Sequence, residues 1–128
     1  MPNNSYTHTN LRLEKRYSLV FVSGASGAVP ATFVRGKGIK SVTRNSAGKY
    51  TIVVTRNGSD LIDFDAFVEQ ASFSLSGAVW GCLISQNVAT AGGGIVVQFV
   101  TAAGAAVDPT TGDTVKVNFN IKHSAGLL

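Results

Sequence analysis

The chain reads as an all-β protein: one antiparallel β-sandwich, jelly-roll-like, of about eight strands, behind an extended N-terminal arm. Three observations predict it. Sixteen Val, six Ile, eleven Thr and eleven aromatic residues make 44 of the 128 positions β-branched or aromatic, against two Glu and one Met that favour helix. Several runs alternate apolar with polar residues, the period of a half-buried strand. Gly, Asn and Pro punctuate those runs at the spacing of a sandwich.

Residues 1–14 are rich in Asn, Thr and Ser without an apolar period, which predicts a flexible arm that orders on a partner. Residues 15–128 form the sandwich domain. In its first strand Tyr17, Leu19 and Phe21 share one side, and the strand ends near Ser23. Residues 24–30 have the small residues and Pro of a surface loop, and a short strand over 31–35 leads into Gly36-Lys37-Gly38. Residues 38–56 form a hairpin about the tetrapeptide Asn45-Ser46-Ala47-Gly48, with Tyr50, Ile52 and Val54 on one face of the return strand. Ile39 and Val42 have opposite parity on the outgoing strand, so either both faces are partly covered or a bulge shifts the register.

After the Asn57-Gly58 turn the period changes. Leu61, Phe64, Phe67 or Val68, and Ala71 fall at helical spacing with Asp60 placed to cap, which predicts at most one short helix near 60–71. Alternation returns over 72–76. Ala78, Trp80, Cys82 and Ile84 then share one strand face, and Ile95, Val97 and Phe99 another. Val115, Val117, Phe119 and Ile121 give the cleanest alternation, with Thr114, Lys116, Asn118, Asn120 and Lys122 as their polar outward partners. Trp80, Tyr17 and Tyr50 all belong to inward-looking sets, which predicts core packing for them.

The net charge of +4 divides unevenly. Residues 1–56 carry nine basic residues against Glu14, a net of +8, and residues 57–128 carry two against six acids, a net of −4. Such asymmetry suits a protein whose copies or partners meet through complementary patches. The candidate partner-binding residues are Arg12, Lys15, Arg16, Arg35, Lys37, Lys40 and Arg44. They lack the aromatic interleaving that stacks bases, so direct nucleic-acid contact is not expected.

Enzymatic chemistry finds little support. The two imidazoles, His8 and His123, have no nucleophile or acid at a suggestive spacing and read as ordinary surface histidines. One Cys and two distant His cannot fill a tetrahedral zinc site within one chain, and Cys82 reads as a buried, inert thiol. Asp60, Asp63, Asp65 and Glu69 are the one acidic cluster, but their spacing fits no EF-hand loop. Gly36-Lys37-Gly38 lacks the phosphate-loop pattern. No cofactor, metal or catalytic residue is therefore expected. No apolar run reaches the roughly 18–20 residues of a spanning helix, and the polar first ten residues do not resemble a secretory signal, so the mature chain is expected to begin near Met1.

Three segments, taken in order, resemble a family. They are Gly38-Ile39-Lys40-Ser41-Val42-Thr43-Arg44 with Gly48-Lys49-Tyr50-Thr51-Ile52; Gly94-Ile95-Val96-Val97-Gln98-Phe99-Val100-Thr101; and the turn Gly104-Ala105-Ala106-Val107-Asp108-Pro109 with Gly112-Asp113, followed by the last strand. Together they are similar to small virion proteins of tailed bacteriophages, of the capsid decoration (cement) kind or related β-sandwich structural proteins. The likeness covers residues 33–124, about 70% of the chain. It implies a non-enzymatic virion component made in the host bacterial cytoplasm. Its partners would be the major capsid protein and itself, as a homotrimer. The competing class is a tail-fibre, spike or head-fibre module that binds a host receptor or glycan. Single-stranded RNA phage coats, of similar length, carry long helices after their sheet, and nothing after Gly112 has room for these.

Overall fold

The alternating runs become neighbouring strands of one curled sheet. A computed structural model describes residues 14–30, 36–70, 79–90 and 92–123. Among them are seven strands: β1 (Glu14–Val22), β2 (Ile39–Ser46), β3 (Lys49–Val54), β4 (Asp60–Glu69), β5 (Val79–Gln86), β6 (Gly94–Thr101) and β7 (Thr114–Lys122). Their order is β1-β7-β4-β5-β6-β3-β2, antiparallel throughout. The all-β class stands. The strands expected over 31–35 and 72–76 and nearly all of the arm lie outside the described residues, and Glu14, the arm's last residue, already opens β1.

The inner face of the curl is the core. Tyr17, Leu19 and Phe21 of β1, Ile52 of β3, Ile95, Val97 and Phe99 of β6, and Val115, Val117, Phe119 and Ile121 of β7 are all buried, as their alternation predicts. Each such side chain contributes roughly 1.5–3 kcal/mol by leaving water. The curl brings distant strands together: the Phe21 ring lies 5.7 Å from Tyr50 of β3, whose ring meets Phe99 edge-on at 5.9 Å. Near the other end of β1, Tyr17 stacks on Phe119 at 5.1 Å.

The helix expected near 60–71 is corrected to a strand, β4. Leu61 faces Ile121 while Asp63 faces Asn120, so Ile62 is an extra residue in the ladder. A bulge adds one residue to a period of two, and the resulting spacing of three imitates a helix. β7 pairs with β4 along its whole length, and that ladder overrides the local signal. Asp60 consequently faces Lys122 and caps nothing. The same device settles β2, where the register shifts between Ile39 and Ser41, leaving Lys40 as the extra residue. β2 shifts again between Arg44 and Ser46, and a shift between Leu83 and Ser85 leaves Ile84 extra in β5.

The inward assignment of Trp80 is also overturned. Trp80 and Cys82 do share a face, but Trp80 pairs with Val100 and Cys82 with Gln98, the outward positions of β6. Trp80 is 59% exposed, and the Cys82 thiol is exposed as well. The inward position goes to Gly81, because a β-carbon there would lie only 2.4 Å from the Ala66 carbonyl oxygen of β4. Apolar residues stand on both parities of this strand, and the close approach of β4 decides between them.

His123, expected at the surface, is buried. It sits at the end of β7, where its Nε2 and the Tyr17 hydroxyl are hydrogen-bonded across 3.1 Å.

Candidate functional site

The outer face of the β1-β7-β4 flank is a regular grid set by register. One row runs Val20, Lys116, Phe67, Trp80 and Val100 across five strands. Neighbouring rows hold Ser18, Asn118 and Asp65, then Arg16, Asn120 and Asp63. The β1 and β7 columns and the turn before β2 enclose an open groove of about 600 Å³, lined by Arg16, Ser18, Val20, Gly36, Lys37, Lys116 and Asn118. Three cations from three parts of the chain thus converge on one hollow.

Their surroundings differ. Arg16 and Lys37 are exposed and form no ion pair among the described residues. Lys116 sits 2.9 Å from Glu69 and places its ammonium 5.8 Å from the centre of the Phe67 ring. The Ser18 hydroxyl donates to Asn118 Oδ1 at 2.8 Å, and Asn120 donates to Asp63 at 3.0 Å. Beyond Lys116, Phe67 (39% exposed) and Trp80 extend the hollow into an apolar shelf. On β4 the outward Asp63, Asp65 and Glu69 alternate with the core-facing positions, so the acidic cluster is one strand face.

The other candidate cations go elsewhere. Lys15 lies on the opposite side of β1, its ammonium 5.2 Å from the Tyr17 ring centre. Lys40 is the exposed extra residue of β2. Arg12 and Arg35 lie outside the described residues. Arg44 is engaged within the fold, its Nε and a terminal nitrogen donating to the two Asp108 oxygens at 3.0 and 2.8 Å. Asp108 Oδ1 also accepts the Gly48 amide at 2.7 Å. Those hydrogen bonds, Arg44's first, hold the Asp108 carboxyl below its ordinary range. The Tyr50 hydroxyl donates to the Gly27 carbonyl at 2.7 Å, and burial, reinforced by nearby Asp108, pushes its pKa up to about 12.

Sequence reading missed Lys116, Asn118, Phe67 and Trp80 as surface-site residues. The polar face of β7 was the available signal; the missing information was which strands flank it.

Fold and surface together define a small all-β protein with a cationic groove beside an aromatic shelf. Among the described residues no group of three or more His, Cys, Asp and Glu could hold a metal ion, and no helix is long and apolar enough to cross a membrane. No family model, curated protein or solved structure matches the chain.

Proposed function

We propose that the protein is a structural component of a tailed-bacteriophage virion, a capsid decoration (cement) protein that docks on the major capsid protein lattice and stabilises the head. The observation that carries this reading is the outer face, where exposed Phe67 and Trp80 continue the row from Lys116, which lines one groove with Arg16 and Lys37, cations without an ion pair among the described residues. Exposed apolar surface rimmed by charge contributes little to an isolated domain and is the usual mark of a protein interface. The segments that carry the family likeness support it further, because they pack on one another. The Phe99 amide donates to the Gly48 carbonyl, the Val107 amide to that of Phe99, and Arg44 reaches Asp108.

On this reading the protein is non-enzymatic, assembles as a homotrimer and sits on the capsid surface. A cryo-electron-microscopy reconstruction of the virion is the test: density for this chain on the capsid exterior is expected, and density at a fibre tip would overturn it. Sedimentation of the isolated protein tests the trimer. One observation favours a fibre or spike module instead: an exposed Trp on a sheet face is the stacking surface a sugar ring uses. Glycan binding that quenches Trp80 fluorescence, without binding to heads, would establish that alternative.

A further inference from the structure

We infer that the groove and the aromatic shelf together hold one extended segment of a partner protein, about six residues long, acidic at one end and apolar at the other. The inference deepens the docking reading and rests on it for the partner's identity. Its basis is the row Val20, Lys116, Phe67, Trp80 and Val100, which is continuous across five strands and changes character along its length. At the β1 end, Arg16, Lys37 and Lys116 surround the hollow. From β4 onward the row is apolar. Four inter-strand steps of about 4.8 Å make roughly 19 Å, the reach of about six extended residues.

Charge selects the occupant. Arg16 and Lys37 are exposed cations without an ion pair among the described residues, so a carboxylate placed between them displaces no ion pair formed by those residues. Lys116 is already shared with Glu69, and its stem covers the step from the groove to Phe67. A nucleic-acid backbone is a poor fit, because Asp63, Asp65 and Glu69 line the same face one strand from the groove and would repel phosphates crossing it. The groove lining also contains no aromatic ring on which a base could stack. A short peptide avoids the acidic column by keeping to the Phe67 row.

The test is a heteronuclear NMR titration of the full chain with the hexapeptide Asp-Asp-Glu-Ser-Leu-Phe, its reversed sequence, and an analogue with Lys for each acid. Shift changes are expected at Arg16, Ser18, Lys116, Asn118 and the Trp80 indole with at least one acidic peptide. Binding should weaken about tenfold for the Lys analogue and for the Arg16→Glu/Lys37→Glu variant. Amide spectra verify that this variant stays folded. Changes confined to another face, equal binding of acidic and basic peptides, or tighter binding of a single-stranded DNA oligonucleotide would each overturn the inference. So would a titration whose only effect is self-association of the chain. Binding of the same variant to undecorated phage heads separates the two readings. Undiminished binding overturns the groove and leaves decoration standing; heads that bind neither form, with an intact peptide titration, overturn decoration and leave the groove.

Discussion

Gly27 shows how much one position can join. Its φ of +74° is a backbone conformation that side chains rarely adopt, and a β-carbon there would lie 2.7 Å from both Asp108 Oδ1 and the Tyr50 hydroxyl. Gly27→Ala therefore strains the backbone and pushes apart the Arg44–Asp108 pair and the Tyr50 bond, and should destabilise by about 2–3 kcal/mol in urea unfolding. A second residue-scale prediction concerns acid. Burial holds the His123 pKa below its ordinary value, with repulsion from Arg56 and Lys15 adding to it and the Asn57 backbone opposing it. A base depressed on folding contributes stability that is present above its unfolded value of 6.5 and lost as pH falls through the folded one. Asp108 is depressed too, so its contribution is lost at lower pH, as the solution passes below 3.8. Denaturation midpoints measured against pH should thus begin to fall just below neutrality and fall again in strong acid. His123→Gln should remove the first decline and keep the second; an unchanged first decline would assign it to another group.

At the scale of the strand, bulges decide what could be read in advance. β1, β3, β6 and β7 were legible because each keeps a period of two in which the apolar residues of one side are buried. β4 was not, since Ile62 breaks the parity, and β5 was legible as a strand but not in its facing, since both its parities are apolar and a backbone contact at Gly81 chose between them. For the same reason Arg16 and Lys37 were visible as cations, but their meeting with Lys116 depends on a β1–β7 register that joins opposite ends of the sequence. The bulges also make a counter-intuitive prediction. Deleting Ile62 leaves Leu61 opposite Ile121 and Asp63 opposite Asn120, a regular ladder with every face preserved. Its cost should stay within about 1 kcal/mol. Deleting Asp65, also exposed, moves Asp63 to the core position opposite Phe119 and should cost about 3 kcal/mol or more. Similar losses for the two deletions in thermal unfolding would refute the assignment of Ile62 as the extra residue.

At the scale of the whole sheet, the described residues leave one thin seam, and the proposed docking row crosses it. β4 pairs with β7 from Asp60 to Glu69 and β5 pairs with β6 from Val79 to Gln86, whereas among the described residues β4 and β5 pair only at Phe67 and Trp80. Beyond that point Ile62, Leu83 and Ile84 are all exposed, so little apolar burial supports this end of the two strands. Local opening follows the weakest packing, and β5 should therefore exchange its amide hydrogens before β3 and β7, each of which has a long ladder on both sides. A segment laid over Phe67 and Trp80 bridges the seam at the one position paired among the described residues. Because it binds the closed sheet and not the opened one, it should slow exchange in β4 and β5 well beyond its effect on β3. It should also raise the melting temperature progressively with concentration, by the free energy RT ln(1 + [L]/Kd). Trp80→Ala should leave the unbound stability within about 1 kcal/mol, since the ring is mostly exposed, and abolish both effects. Exchange mass spectrometry with and without the acidic hexapeptide distinguishes the cases: protection concentrated at β4 and β5 links docking to closure of the seam, and protection spread evenly over all seven strands would break that link.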